Sequence, residues 1–260
     1  MLMTDKRKER FLEIAKTGGA DLVGIARVED IKPTYPPRYA TDLLPGAMSV
    51  VVVLARQLQG AIAQHKSHKP AIKDILMTYS FVDVVASKIA RLLESEGYES
   101  IHVASTMPVE FLGGRNFIGE FAHRNAAVAA GLGVRGRNNL LITPEFGPRH
   151  RMASVITTAA LEPDRPLAES PCTKCEKCVK ICPVNAFEGG TEEKPVDVMK
   201  CRTVLTRPLL GGMKVRNLIS SMFRTTDWMG EVVQTLMLGY HSSCHACMAV
   251  CPVGKLKRNQ

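Results

Sequence analysis

The sequence predicts a mixed α/β (α+β) chain of two domains, a larger one over residues 1–166 and a smaller one over residues 167–260, and three observations carry that prediction. Up to Leu161, amphipathic stretches of helical period are interleaved with short apolar runs rich in β-branched residues. All eight cysteines come later, from Cys172 onwards. Between the two regions lies the polar, proline-bearing stretch from Pro163 to Pro171, which places the boundary near Leu167. About 165 residues precede the cysteine-rich end, enough for an independent core.

Taken in order, Lys6 to Lys16 sets Phe11, Leu12, Ile14 and Ala15 among charges, and Gly18-Gly19 closes it, so a first helix is expected. Asp21 to Val28 reads as a strand. Pro33, Pro36 and Pro37 preclude regular structure in the connection that follows. After Pro45-Gly46, the run from Ser49 to Leu54 is apolar without alternation, which marks a strand buried on both faces. From Ile72 to Glu96, the residues Ile75, Leu76, Tyr79, Val82, Val85, Ile89, Leu92 and Leu93 recur at helical spacing, with Gly97 at the C-cap position. Strands are expected over Ser100–Ala104, Asn139–Thr143 and Met152–Leu161, and an alanine-rich helix over Phe121–Ala130. In the second domain a helix over Val196–Leu205 carries Cys201. Long helical stretches between Met213 and Leu238 place Met222, Met229 and Met237 where packing explains them.

The cysteine spacing carries the chemistry. CTKCEKCVKICP sets Cys172, Cys175 and Cys178 two residues apart, then Cys182 after three more, followed by Pro183. This is the bacterial ferredoxin run, in which three thiolates hold one cubane and the fourth reaches a different cluster. A second run, CHACMAVCP, supplies Cys244, Cys247, Cys251 and Pro252, and Cys201 stands between them. The cross-over assigns Cys172, Cys175, Cys178 and Cys251 to one 4Fe-4S cluster, and Cys182, Cys201, Cys244 and Cys247 to another, leaving no cysteine over. Disulfides suit an exported chain, whereas MLMTDKRKERF reads as no signal peptide and points to a reducing, cytoplasmic setting. Structural zinc prefers separated pairs, and a redox dithiol needs only one pair.

The second informative stretch is AAGLGVRGRNNLLITPEFGPR, from Ala129 to Arg149. Gly131, Gly133 and Gly136 have the GxGxxG spacing of a dinucleotide site, but here a helix leads in and an apolar β run leads out, the reverse of that motif's context. Two readings stand side by side. The glycines make a tight helix-to-strand turn, or they bring backbone against a large flat cofactor with Arg137 and Asn138 as polar contacts.

AGLGVRGRNNLLITPEFGPR, VITTAALEPD, the first cysteine run, the isolated cysteine of CRTVLT and the second run together resemble the cobalamin-dependent iron-sulfur reductases, the group of epoxyqueuosine reductases and reductive dehalogenases. The resemblance covers about Asp21 to Gly254. It implies a nitroreductase-like sandwich domain that holds a corrinoid, followed by a dicluster ferredoxin-like domain that feeds it single electrons. It further implies that Gly131, Gly133, Gly136, Arg137 and Asn138 face the corrinoid. Four departures go with it. Ser105 stands where the epoxyqueuosine reductases carry an acidic proton donor, and Val134 where an aromatic is usual. Neither a helical-repeat tail for tRNA nor a twin-arginine signal is expected from this sequence. FIGEFAHRNAAV is similar to the dehalogenase side, and His123, Tyr79 and Glu120 are the proton-donor candidates.

Net charge is +9, which falls to about +5 when two oxidised clusters of about −2 each are bound. No basic tract with interleaved aromatics singles out nucleic acid, and the longest apolar run, Met48 to Ala55, is too short to span a bilayer. The expected activity is reduction of a small-molecule or corrinoid-bound substrate with electrons from a low-potential donor of ferredoxin or flavodoxin type. Two rivals are an electron carrier that reduces a partner protein, and an epoxyqueuosine reductase acting on tRNA.

Overall fold

The computed structural model describes residues 2–33, 38–63, 69–106, 110–112, 116–189, 196–198, 200, 201 and 244–256. At its centre β2 (Ser49–Arg56) pairs antiparallel on one side with β1 (Leu22–Arg27) and on the other with β8 (His150–Thr157). β3 (Ser100–Val103) closes the sheet against β8, giving the order β1-β2-β8-β3. Registers run from Leu22 opposite Leu54, Ser49 opposite Thr157 and Ser100 opposite Thr157.

Helices cover both faces, and this accounts for the unbroken apolar run of β2. Val51 and Val53 point to the face packed by α1 (Leu2–Gly18) and α4 (Lys69–Ser95), where Phe11, Ala15, Val82, Val85, Ile89 and Leu93 meet them. Val50, Val52 and Leu54 point the other way, onto Phe121, Ala126, Ala127 and Leu141 around α5 (His123–Ala129). A strand covered on both sides has no polar face to alternate with. The approach of α5 is close at Gly24, where an added Cβ would lie 2.8 Å from the Ala130 carbonyl oxygen.

Smaller elements set the edges: α2 (Ala40–Leu43), α3 (Gln59–Ile62), the paired strands β4 (Glu110–Leu112) and β5 (Asn116–Ile118), and the short ladder of β6 (Val134–Arg135) with β7 (Leu141–Ile142). β4 and β5 lie where no element was expected, because three-residue strands leave too short a pattern to read. Of the strand expected over Asn139–Thr143, Leu141–Ile142 pairs in the β6–β7 ladder and Thr143 forms a single bridge to Gly147, while Asn139 takes a left-handed φ of 60°. The last strand lies two residues earlier than expected at its start and ends at Thr157. Gly97, at φ +91°, caps α4 as its position implies, with its N–H donating to the Glu94 carbonyl.

The segment after Pro163 crosses the sheet edge in extended form, where Asp164 accepts from the Ile25 N–H at 2.9 Å and pairs with Lys8. Two short helices follow, α6 (Lys177–Lys180) and α7 (Ala246–Val250). Met248 of α7 packs on Ile62 and Ala71, and the Leu256 N–H donates to the Gln59 side chain at 2.7 Å. The Cys201 N–H donates to the Asp197 carbonyl at 3.0 Å. The remainder of the expected helix to Leu205, the Met213–Leu238 stretch, Pro36 and Pro37 lie outside the described residues. No described helix is long and apolar enough to cross a membrane.

Leu93 is fully buried between α4 and the sheet. Leu93→Ala is expected to cost about 2–5 kcal/mol, because the lost contacts leave a cavity that a three-layer core closes only partly. A lower urea midpoint at unchanged m-value checks it.

Candidate functional site

Close cysteine spacing bends the loop before α6. Lys174 and Glu176 adopt left-handed φ values of 51° and 56°, so CTKCEKC coils back on itself instead of running straight. Cys172, Cys175 and Cys178 thereby line one cleft, and Cys251, arriving from the far end of the chain after α7, lines the same cleft. Arg137 and Asn138 stand at its wall, with the Arg137 guanidinium 4.0 Å from the Glu176 carboxylate.

The other four cysteines form a second set. Burial, then the charges of Cys244, Cys201, Cys178 and Cys182, push the Cys247 thiol up to about 12. Cys201 is likewise raised by burial and by Cys244 and Cys182. In the first set burial raises Cys178 and Cys251, while the exposed Cys175 is lowered by the Lys177 backbone N–H. Because Cys247 feels Cys178 as well as its own set, the two sets adjoin.

These shifts describe a place hostile to thiolates until cations arrive. Burial disfavours the thiolates of Cys178, Cys201, Cys247 and Cys251, and iron, being cationic, would displace their protons. The eight cysteines are all free. Among the described residues no group of three or more Cys, His, Asp or Glu side chains closes round a single metal ion. A four-iron cage takes one thiolate at each corner, and Cys172, Cys175 and Cys178 with Cys251 bring four to one cleft. The Cys182 sulfur also accepts from the Ala186 N–H at 3.3 Å, the type of contact that tunes cluster potentials.

The glycine stretch is met by the protein itself. A Cβ at Gly133 would stand 2.5 Å from the Ile142 carbonyl oxygen, and one at Gly136 2.5 Å from Ile142 Cγ1. At Gly131, where φ is +70°, it would strike the Arg165 carbonyl. The helix-to-strand turn therefore accounts for the missing side chains at all three positions. Arg137 and Asn138 lie on the cysteine side of this turn, and Asn138 Oδ1 accepts from the Leu140 N–H at 3.2 Å.

The proton-donor candidates are spread around the β3 end of the sheet. Both ring nitrogens of His123 are engaged, Nδ1 with Ser154 Oγ at 2.8 Å and Nε2 with the Ala104 carbonyl at 3.1 Å. Burial lowers its pKa to about 4, so the ring is neutral and spends both nitrogens inside the protein. Tyr79 is half-buried under the Arg151 guanidinium, 5.2 Å from ring centre, and Glu120 is exposed. Ser105 donates to Asp83 at 2.8 Å and its N–H donates to the same carboxylate at 2.9 Å. Sequence reasoning passed over Asp83; its one signal was a carboxylate four residues after Tyr79, on the same side of α4. It also passed over Arg149, a cation at the end of the glycine stretch.

Comparison with known proteins adds the family. No protein-family model matches the chain. The epoxyqueuosine reductase of Listeria monocytogenes is 31% identical over 137 residues, covering 53% of this chain and 31% of that protein. The tetrachloroethene reductive dehalogenase of Dehalobacter restrictus is 30% identical over 222 residues, covering 70% of this chain and 39% of its own length. The chain is a homologue of the epoxyqueuosine reductases and reductive dehalogenases. A solved structure of a reductive dehalogenase of B12-dependent dehalogenation shares the fold of this homologue at TM-score 0.59 and 24% identity, over 76% of this chain and 28% of that one. The mixed α/β fold expected for this reductase homologue is the fold observed, and the chain spans about a third of the length of these two curated relatives.

Two prosthetic groups are implied for a homologue of these reductases, and the residues answer differently for each. The cysteine sets fit iron-sulfur clusters by donor type and arrangement. On the side where a Cβ would stand, Gly131, Gly133 and Gly136 are met by protein atoms.

Proposed function

We propose that the chain is an iron-sulfur oxidoreductase that accepts single electrons from a low-potential donor of ferredoxin or flavodoxin type and delivers them, through two 4Fe-4S clusters, to the corrinoid-dependent reduction of a substrate. The observation that carries this reading is the convergence of Cys172, Cys175 and Cys178 with Cys251 on one cleft, beside a second set formed by Cys182, Cys201, Cys244 and Cys247. Cross-linking the runs in this way leaves both ligand sets adjacent, and adjacency serves a relay of single electrons. Bound clusters supply the one-electron chemistry. The chain supplies the ligands, and α7, packed on Ile62 and Ala71, holds Cys247 half-buried beside them. The corrinoid part of the proposal rests on homology to a B12-dependent dehalogenase, and no step is derived through it. The domain boundary near Leu167 belongs to the same proposal.

A second reading is favoured by the closed glycine turn: an electron carrier that reduces a partner and holds no substrate of its own. The experiment that separates the two is anaerobic purification with cobalamin supplied, followed by iron, cobalt, zinc and flavin analysis and EPR. About eight irons and one cobalt per chain are expected for the corrinoid reductase. About eight irons without cobalt or flavin favour the carrier, and zinc in place of iron overturns both. Turnover of epoxyqueuosine-containing tRNA would assign the substrate to the epoxyqueuosine reductase side.

A further inference from the structure

Arg149 is 3% exposed, and the hydrogen bonds its guanidinium makes among the described residues go to main-chain oxygens. Nη1 donates to the Met248 carbonyl at 3.1 Å and to the Cys251 carbonyl at 3.0 Å, and Nη2 donates to the Val253 carbonyl. Among the described residues no carboxylate pairs with it. Carbonyls satisfy hydrogen bonds but leave a full positive charge in a dry place, which is costly without a counter-charge. The three carbonyls bracket Cys251, a member of the first cysteine set. Around them the backbones of Gly147 and Gly254 meet so closely that a Cβ on Gly254 would lie 2.5 Å from the Gly147 nitrogen, and one on Gly147 3.2 Å from Arg149 Nη2.

We infer that Arg149 is the built-in counter-charge of the cluster held by Cys172, Cys175, Cys178 and Cys251, and at the same time the clasp that positions Cys251 to complete it. The inference rests on the two-cluster reading. With its four thiolates such a cluster carries about −2 when oxidised and about −3 after accepting one electron from the donor. A fixed cation beside it stabilises the reduced form more than the oxidised one, and so raises the potential of this cluster over that of its neighbour. The clasp and the charge are separable. Arg149→Met removes both, whereas Arg149→Lys retains the charge and loses the planar fork that reaches three carbonyls.

The test uses the full chain, loaded anaerobically with iron and sulfide and titrated with dithionite under EPR. Iron is counted before any potential is read. Arg149→Met is expected to weaken reduction of one cluster about tenfold, about 59 mV for a single electron, and to leave the other within threefold of wild type. The shifted signal should be the one missing from a Cys172→Ala chain. Arg149→Lys should keep both potentials within threefold while lowering the urea midpoint. Unchanged potentials in fully loaded Arg149→Met, equal shifts of both clusters, or a tenfold shift in Arg149→Lys would each overturn the inference. If Arg149→Met does not load, Arg149→Gln, which removes the charge and keeps a polar reach toward the carbonyls, is read in its place with the same expected shift and the same overturning result. A wild-type chain that takes up no iron overturns the cluster reading itself, whereas eight irons with an unmoved potential overturn only the part given to Arg149.

Discussion

A chain with both Cys172→Ala and Cys251→Ala should still bind about four irons, the complement of one intact cluster. The expectation follows from the way the last cysteine run reaches back. In sequence Cys251 belongs with Cys244 and Cys247, and if each run served its own cluster the double substitution would damage both. In the structure Cys251 instead shares a cleft with Cys172, Cys175 and Cys178, while Cys247 is pressed by Cys244 and Cys201. The two substitutions then fall on the same cluster, and the second costs nothing that the first has not already removed. Pairing Cys251→Ala with Cys244→Ala is the control, because those residues sit in different sets and both clusters should suffer. Iron analysis and EPR under anaerobic conditions separate the outcomes. Fewer than one iron per chain in the Cys172/Cys251 double variant would sink the crossed assignment.

Stability should fall as pH drops from about 6.5 to about 4, with a slope near two protons. His123 and His150 are both pushed down to about 4 by burial. The carbonyls of Ala104 and Leu141 offset this only in part, and Arg149 and Arg151 beside His150 oppose its protonation further. In the unfolded chain each ring titrates near 6.5, so between the two values the unfolded state holds more protons and stability rises with pH. The contribution is complete above about 6.5 and is lost as pH falls through about 4. His150 has a buried Nδ1 without a partner and is 4% exposed, so it should account for up to about 3 kcal/mol. His123 should contribute less, because both its ring nitrogens are hydrogen-bonded, to Ser154 and to the Ala104 carbonyl. Urea midpoints between pH 5 and pH 7 measure the slope, and His150→Gln should reduce it by about one proton. A flat profile over that range would show that the rings are not held neutral.

How much of this was legible beforehand depends on how local the cause is. A buried central strand announces itself because Val50 to Leu54 must be apolar on both faces, and α4 because Val82, Val85, Ile89 and Leu93 recur with the turn of the helix. The cysteine runs are legible for a similar reason. Three thiolates that must face one centre from a short loop can be spaced in few ways, and a proline after the last ends the turn. Here the pattern in the chain is the constraint in space.

The glycine stretch was ambiguous because a missing side chain reads the same whatever fills the gap. Only the folded chain shows the Arg165 and Ile142 carbonyls in that gap, from segments that sequence proximity does not connect to every glycine. Ser105 and Asp83, 22 positions apart, meet only because β3 ends beside α4. Arg149 lies 102 positions from the Cys251 carbonyl it holds, and nothing periodic joins them. Sequence by itself determined the ligand type, the two runs and the layered core, since each is written in spacings of two to four residues. Tertiary structure alone decided which buried charge stands beside which thiolate, because a contact across the fold depends on the path of the whole chain between its ends.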